Sequence, residues 1–553
     1  MTFLPIVERE LRIAARRQMS YWLRVIAAAF MLLMFVMTLV LFTMSSPFGS
    51  PGQAQFSTLR WIAFIFVCST GVFFTSDSLS EEKREGTLGL LFLTDLHGYD
   101  VVLGKLMSHS LQAFYSLLAA LPILALPLLV GGVTGTEFAR SLLVICNTLF
   151  LSLAVGIFAS SISREVMKTM NATLFINLAL LVGLPWLDLG LTHWDDTKFK
   201  PITSVLSPGF LFEHAGDLKG SFWSYLGLQN LLAWIFLAAA AICIPRAWQE
   251  KTASAKGPRR SMIQWWRYGG RKARLAFRRK TLSRDSILWL ALRDLWMARL
   301  IWLAVLIAAL WMGMDLYIWD SQKAYNALSS AHALLVVVIM LWVASQACRF
   351  FVESSRNGAL ELILVTPVKP RQIVFAQWKA ICRNFWLPVL VILAMQVVSL
   401  VHEISNARHL LTPPSTPLDT YWIISGICGL VTLAGDFLAM AWFGMWMGVT
   451  SRKASMAILK TVCFVVVLPY LIQMFIMVFG MMSAGRARLP FWIGVVFAGI
   501  FELVKNIFLI WWARNQLLTR FAERVARGNE TMIHRPQLSS RTAPITVAPP
   551  IIT

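Results

Sequence analysis

Long apolar stretches alternate with short polar segments along the chain, and the apolar stretches number twelve. A helix needs about 20 apolar residues to cross the hydrocarbon core of a bilayer, which is close to the length of each stretch. The ten-residue alternation of outer-membrane barrel strands does not occur in them, so the pattern predicts membrane-spanning helices. The predicted spans are Trp22–Met44, Leu59–Ser76, Leu106–Val130, Phe138–Ile162, Met170–Leu191, Ser224–Pro245, Leu300–Trp319, Ala331–Val352, Phe385–Val401, Tyr421–Val449, Ile458–Phe479 and Pro490–Ala513.

The polar segments after the second and eighth stretches match each other at a constant offset of 272 residues. Each begins with an acidic residue, turns on a glycine and becomes apolar, which suits a helix at a membrane surface. Gly156 and Ser163 likewise match Gly444 and Ser451 at an offset of 288. This order predicts an all-α polytopic membrane protein built from two parallel repeats of six helices. The pairs at offset 272 are Glu81 and Glu353, Arg84 and Arg356, Gly86 and Gly358, Leu88 and Leu360, and Thr94 and Thr366.

The repeat predicts four regions of the chain. Residues 1–246 form a first six-span domain, residues 247–285 a basic cytoplasmic linker, and residues 286–527 a second six-span domain. Residues 528–553 contain several prolines and few apolar residues, which predicts a disordered tail.

Composition excludes a water-soluble fold, because 57% of the residues are hydrophobic and only 14% are charged. The net charge is +22, and most Lys and Arg residues fall on the cytoplasmic side when the N-terminus is placed inside. We therefore expect a multi-pass protein of the cell membrane with both termini in the cytoplasm.

The densest basic cluster runs from Arg246 to Arg299 and joins the two halves. It indicates contact with anionic membrane lipids, and the alternative is a docking surface for an acidic cytoplasmic subunit. No nucleic-acid partner is expected, because the membrane accounts for the basic charge.

The sequence contains no pattern typical of a catalytic, cofactor or metal site. The seven cysteines are scattered without a C-x-x-C pair, and the eight histidines lack the H-E-x-x-H spacing. Gly98 to Lys105 differs from a phosphate-binding loop in its glycine spacing and in having Leu106 after the lysine. The chain is therefore not expected to be an enzyme.

Three charged residues fall inside predicted spans: Asp436, Glu502 and Lys505. Glu502 and Lys505 share a helix face at i and i+3 and can neutralise each other. Such charges must face protein or water. Two readings stay open: a structural pair with one hydrogen-bonded acid, or groups that line a substrate path or proton relay. The equivalent residues of the first half, Thr148, Asn230 and Ala233, are uncharged.

A basic amphipathic N-terminal segment, two spans and then E-x-x-x-x-G-T-L-x-x-L-x-x-T leading into Val102-Leu103-Gly104-Lys105 resemble the permease of a type-2 ATP-binding-cassette (ABC) exporter. The resemblance extends over nearly the whole chain, once per half. The second half keeps the glycine and the following leucine, but Ala359 replaces Thr87, and Gln377 replaces Lys105.

The resemblance implies that the two polar elements are coupling helices that contact ATPase subunits. ATP and Mg would be bound by two such partner subunits per chain and not by this chain. The family also has short re-entrant helices between its fifth and sixth spans, for which Asp188–Trp223 is long enough and Gly480–Leu489 is too short. The implied coupling residues are Glu81, Glu82, Arg84, Glu85, Gly86, Thr87, Leu88, Glu353, Arg356, Gly358, Leu360 and Glu361.

The resulting hypothesis is an exporter permease with two fused transmembrane domains and an unidentified substrate. A secondary transporter with parallel repeats remains an alternative, although only one half carries intramembrane charges. A membrane scaffold or anchoring subunit is the second alternative.

Overall fold

Helix is the only regular secondary structure in the part of the chain that the structure describes. The structure is a computed structural model. It describes residues 18–45, 51–93, 96–163, 165–188, 202–216, 221–247, 270–283, 285–292, 296–318, 321–410, 416–451, 453–476 and 492–526. The predicted tail, most of the linker, residues 6–17 of the N-terminal amphipathic segment and residues 480–489 lie outside these ranges. The all-α prediction is confirmed for the described residues.

The described helices of the first half are α1 to α9. Two π-helical segments, Gly71–Thr75 and Ala179–Gly183, continue α2 and α7, and a 3-10 turn at Ser204–Leu206 precedes α8. The helices are α1 (Gln18–Ser45), α2 (Pro51–Thr70), α3 (Ser78–Glu85), α4 (Thr87–Leu91), α5 (Gly98–Val130), α6 (Gly135–Ile162), α7 (Val166–Leu178), α8 (Pro208–Glu213) and α9 (Phe222–Ala247).

The described helices of the second half are α10 to α18. A third π-helical segment, Cys463–Val467, continues α17. The helices are α10 (Arg271–Leu282), α11 (Ser286–Leu292), α12 (Trp296–Ile318), α13 (Ser321–Arg356), α14 (Ala359–Val365), α15 (Pro370–Leu410), α16 (Thr416–Thr450), α17 (Ala454–Val462) and α18 (Trp492–Thr519).

Ten helical segments in the described ranges are long and apolar enough to cross a membrane. Each overlaps one of the twelve stretches expected from the sequence. The remaining two stretches, which open the two halves, coincide with shorter apolar helices at Arg24–Val40 and Ala298–Leu310. The ten segments are Gly52–Arg84, Gly98–Val130, Gly135–Ile162, Val166–Asp188, Phe222–Pro245, His332–Arg356, Pro370–Val401, Ile423–Thr450, Ala454–Ile476 and Val496–Thr519.

Local sequence explains where several helices begin. The hydroxyl of Thr134 accepts a hydrogen bond from the Glu137 N–H (3.2 Å) and caps α6. Asp100 accepts a hydrogen bond from the His97 N–H (3.0 Å) at the start of α5. Ser207 caps α8, and Pro208 follows it at the first helical position, where a missing N–H has no cost.

The described chain divides into two compact units. The first comprises the described residues within 1–258, 313–324 and 468–501, and the second comprises those within 259–312, 325–467 and 502–553. The first unit has a core centred on α6, which packs against α2, α5, α7 and α9. Within the most apolar 18 residues of α6, 72% are buried.

Close backbone approach between the second and fourth spans occurs within each unit. A Cβ on Gly156 of α6 would collide with the Thr75 hydroxyl. In the second unit, a Cβ on Gly444 of α16 would lie 2.9 Å from the Cβ of Ala347 on α13. Gly444 follows Gly156 by 288 residues, and Ala347 follows Thr75 by 272 residues, so residues matched by sequence make the same contact in both units.

Candidate functional site

Each of the two matched polar elements is a helix that stops at a left-handed glycine and restarts. In the first element Gly86 has φ 72° and separates α3 from α4. In the second element Gly358 has φ 69° and separates the end of α13 from α14. A residue with a Cβ rarely adopts this backbone conformation, so glycine at these matched positions permits the same break in both halves.

The short helix after each break buries one leucine, and two apolar side chains in or just after that helix are exposed. Leu88 and Leu360 are fully buried. Leu90 and Leu93 are 64% and 78% exposed in the first element, and Leu362 and Val365 are 73% and 87% exposed in the second. The exposed residues match at the offset of 272. Both elements therefore present a small apolar surface formed by residues at matched positions.

Lysine side chains attach the first element to neighbouring spans. Lys105 of α5 forms an ion pair with Glu82 (2.7 Å), and both side chains are largely buried. Lys83 donates to the carbonyl oxygens of Ser160 (3.2 Å) and Ser161 at the end of α6. The Ser160 hydroxyl in turn accepts hydrogen bonds from the N–H groups of Leu79 and Ser80, each at 3.0 Å.

Arg84 is also held within the first element, by an ion pair with Asp77 (3.1 Å). Thr87 is exposed, and its hydroxyl donates to the Glu82 carbonyl (3.4 Å). The side chains of Glu81 and Glu85 lie outside the described part of the structure. The sequence pattern gives no signal for Lys83, Asp77 or Ser160. It contains Lys105 only as part of the Gly104-Lys105 motif and does not predict that this lysine pairs with Glu82.

The second element carries neutral residues where the first carries its lysines and Glu82. Ser354, Ser355 and Gln377 occupy the positions matched to Glu82, Lys83 and Lys105. Gln377 donates to the Gln346 carbonyl on α13 (2.9 Å). The two elements thus share backbone shape and apolar surface but differ in how they are attached.

The acidic candidates of the second element have different surroundings. Glu353 pairs with Arg349 one turn earlier on α13 (3.2 Å) and is 42% exposed. Arg356 is half-buried in the last turn of α13, and Glu361 is half-buried in the first turn of α14.

The three intramembrane charges of the second half meet at one point. Lys505 on α18 donates to Asp436 on α16 (2.8 Å) and pairs with Glu502 on its own helix. It also donates to the carbonyl of Val465 (3.1 Å), which lies in the π-helical segment after α17. All three side chains are at least 80% buried. Lys505 therefore connects three spans, and Asp436 is part of the same cluster as the expected pair.

A neutral cluster occupies the corresponding place in the first half. Asn147 on α6 donates to Gln229 (3.3 Å) and accepts from Asn230 (3.0 Å), both on α9. Gln229 donates onward to the Ser207 carbonyl (2.7 Å). Asn230 matches Glu502 at the offset of 272, and Thr148, which matches Asp436, is the neighbour of Asn147. Both halves thus link their fourth and sixth spans through polar side chains, neutral in one half and charged in the other.

The described part of the segment between the fifth and sixth spans of the first half, residues 202–216, packs on the first unit as a 3-10 turn and the short helix α8. Asp188 accepts hydrogen bonds from the N–H groups of Ile202 (2.8 Å), Thr203 (2.9 Å) and Ser204 (2.6 Å). Phe212 of α8 is fully buried, stacks on Phe64 with 4.1 Å between ring centroids, and lies 4.5 Å from the Arg60 guanidinium.

Within the described ranges, no three His, Cys, Asp or Glu side chains converge as metal ligands. No protein-family model matches the sequence, and no curated protein matches it at a significant level.

Proposed function

We propose that this protein is the permease of a type-2 ABC exporter in which two six-span domains, twelve spans in total, are fused in one chain. The proposal rests on the two matched surface elements. Each of them has a backbone break at a left-handed glycine and an exposed apolar surface. A duplicated surface suits two copies of the same partner, and an ABC transporter has two equivalent ATPase sites.

The exposed apolar side chains in and just after α4 and in α14 are the proposed ATPase contacts. Leu93 lies in the turn that follows α4, where its N–H donates to the Leu90 carbonyl (3.3 Å). Leu362 and Val365 are three residues apart within α14 and therefore lie on one side of that helix. Apolar side chains that remain this exposed beyond the end of a span favour a protein partner. ATP and Mg are bound by that partner, and the substrate stays unidentified.

The charged attachment of α3 supports a mechanical role for the first element. Movement of the ATPase displaces α4. The Glu82–Lys105 pair passes this displacement to the third span, and Lys83 passes it to the end of the fourth span. The displaced spans then change the access of the substrate to its path.

Matched features within the spans support the duplication that the proposal requires. The Gly156–Thr75 and Gly444–Ala347 contacts join the second and fourth spans of each half. The fifth span of each half also contains a π-helical segment, at Ala179–Gly183 and Cys463–Val467. Such segments are rare, and one in the fifth span of each half supports a common ancestral unit, although Gly71–Thr75 in the second span has no such counterpart in α13.

The second candidate function is that of a secondary transporter, and the charged cluster of the second half is the observation that favours it. Buried ionisable side chains of transporters are often part of ion or proton paths. The saturation of Lys505 by three acceptors favours a structural role instead, because a path residue must be able to exchange partners.

Purification of the tagged chain from its native cells, followed by native mass spectrometry, tests the proposal. We expect one copy of the 62.2 kDa chain with two ATPase subunits, and no ATP hydrolysis by the chain alone. The four-residue variant Leu90→Asp, Leu93→Asp, Leu362→Asp and Val365→Asp should lose the ATPase subunits.

The matched control changes two similarly exposed apolar residues far from the elements. Leu129 is 85% exposed at the opposite end of α5, and Ile202 is 69% exposed between the fifth and sixth spans. Leu129→Asp with Ile202→Asp should keep the ATPase subunits. A complex with two copies of the chain, or one without any ATPase, would contradict the proposal.

A further inference from the structure

Helix α10, in the basic segment between the two halves, has a composition unlike that of any other described helix. Its sequence RKARLAFRRKTL contains six basic residues and no acidic residue. It packs on α11, which packs on the third span of the second half, α15. All three helices belong to the second unit.

One face of α10 attaches the helix to the rest of the second unit. Thr281 is buried, and Phe277, one turn earlier, is half-buried on the same face. The Arg383 guanidinium of α15 lies 5.2 Å from the Phe277 ring centroid. Arg278, beside this face, lies 5.9 Å from the Trp289 ring centroid on α11. These contacts fix which side of α10 points outward.

The outward face combines leucines with cations. Leu275 and Leu282 are seven residues apart, so they lie on one side of the helix two turns from each other. They are 45% and 43% exposed. Lys272, Arg278 and Arg279, all exposed, lie three or four residues from Leu275 and therefore surround it.

Residues on α15 indicate the depth at which α10 lies. Arg383, which contacts α10, precedes the apolar stretch Phe385–Val401 by two residues. Trp386, in the next turn, is 57% exposed, as expected of an aromatic residue at a membrane interface. The contact with Arg383 therefore places α10 at the level where a span enters the hydrocarbon, which is the level of the lipid headgroups.

We propose that the outward face of α10 binds the surface of an anionic phospholipid bilayer, with Leu275 and Leu282 inserted between acyl chains and the surrounding cations on lipid phosphates. The arrangement meets both requirements of an interfacial helix, an apolar face and a basic rim. An acidic protein partner would also satisfy the charges, but the headgroup level favours lipid. This proposal is independent of any ATPase.

Trypsin cleavage of the full-length chain in lipid nanodiscs tests the proposal, because Lys272, Arg278, Arg279 and Lys280 are themselves cleavage sites. Two nanodisc compositions are compared, phosphatidylcholine alone and phosphatidylcholine with one third phosphatidylglycerol. Cleavage within α10, quantified by mass spectrometry, should be about tenfold slower in the anionic nanodiscs.

Cleavage after Arg371 is the internal control. Arg371 is exposed at the start of α15, about 20 Å along the helix from Phe385, and should be cut equally fast in both lipids. The variant Leu275→Gln with Leu282→Gln keeps every cleavage site and should lose most of the protection. The second variant is Leu282→Gln alone. Both leucines are on the exposed face, so neither variant removes a buried side chain.

Three outcomes would overturn the proposal. The first is the same ratio of α10 to Arg371 cleavage in both lipids. The second is protection that persists in both leucine variants, which would leave no role for insertion. The third is protection that appears only after an acidic cytoplasmic protein is added, which would identify α10 as a protein-docking helix.

Discussion

At the residue scale, the main finding is the environment of Lys505. The sequence predicted a pair with Glu502 and a separate hydrogen-bonded acid, whereas Lys505 contacts Asp436, Glu502 and the Val465 carbonyl together. An ammonium group has three N–H donors, and these three acceptors on three spans use all of them. Any variant of one member therefore affects the other two.

Lys505→Met should destabilise the protein by about 3 kcal/mol, because it leaves two carboxylates unpaired in an apolar interior. Lys505→Met with Glu502→Gln should recover only part of the loss, since Asp436 stays unpaired. The triple variant that adds Asp436→Asn should recover most of it. Thermal unfolding in detergent, followed by size-exclusion chromatography, measures the series.

Lys460→Met is the control, because Lys460 is exposed in the same unit and its loss should have little effect. Full recovery in the double variant would show that Asp436 does not depend on Lys505. A triple variant that is stable but inactive in a transport assay would favour the substrate-path reading.

The Glu82–Lys105 pair supports a second residue-scale prediction. Lys105→Glu should lower the free energy of unfolding by about 2–3 kcal/mol, because it places two acids together in a largely buried site. The exchange Glu82→Lys with Lys105→Glu should restore much of the loss. Thermal unfolding of the two single variants and the exchange variant gives the coupling energy.

The control pair is Glu165–Lys168, which has a similar distance of 2.6 Å but is more exposed, at 30% and 25%. Charge reversal there should cost less than about 1 kcal/mol. Similar losses at the two pairs would mean that Glu82 and Lys105 do not hold the element to the third span.

At the element scale, the two matched surface elements depend on a backbone conformation as much as on side chains. The same left-handed glycine ends α3 and α13, and the same leucine anchors α4 and α14. The electrostatic attachments differ, because lysines hold only the first element to its neighbouring spans. The shared backbone shape sets the direction in which both apolar surfaces point.

Gly86→Ala and Gly358→Ala should each cost about 1 kcal/mol of stability. No atom lies within 4 Å of a Cβ added at either position, so the cost comes from the positive φ alone. Asn substitutions should cost less, since Asn tolerates the left-handed region. The midpoint of thermal unfolding measures the series.

Gly135→Ala is the matched control, because Gly135 also has open space around its Cβ but has an ordinary helical φ. It should cause no loss. An Ala variant at position 86 or 358 that is as stable as wild type would mean that the break can move or straighten without cost.

At the scale of the whole molecule, orientation in the membrane follows from charge and not from packing. The positive-inside bias predicts that both matched elements and α10 lie on the cytoplasmic side and that the segment around α8 lies outside. The proposed ATPase contact and the proposed contact of α10 with the inner leaflet both require this orientation.

Cysteine accessibility in intact cells tests the orientation. A cysteine placed at Gly216, which is exposed near α8, should react with an impermeant reagent, whereas one placed at Ser261 in the basic linker should not. Permeabilised cells should show labelling at both positions, which controls for intrinsic reactivity. Strong labelling of Ser261→Cys in intact cells would contradict the predicted topology.

The sequence by itself determined the helical membrane class and the order of the spans. Hydrocarbon requires each spanning segment to satisfy its own backbone hydrogen bonds, so length and hydropathy alone predict a helix. The sequence also identified the matched glycines at 86 and 358, because a left-handed backbone conformation restricts the residue type regardless of its surroundings.

Only the tertiary structure decided which polar side chains meet. Asp436 and Lys505 are 69 residues apart, Glu82 and Lys105 are on different helices, and the Asn147 amide cluster joins α6 to α9. Helical periodicity specifies the face of a residue within its own helix but not the neighbour that this face meets. These contacts depend on how the helices pack and rotate against one another, which local sequence patterns do not encode.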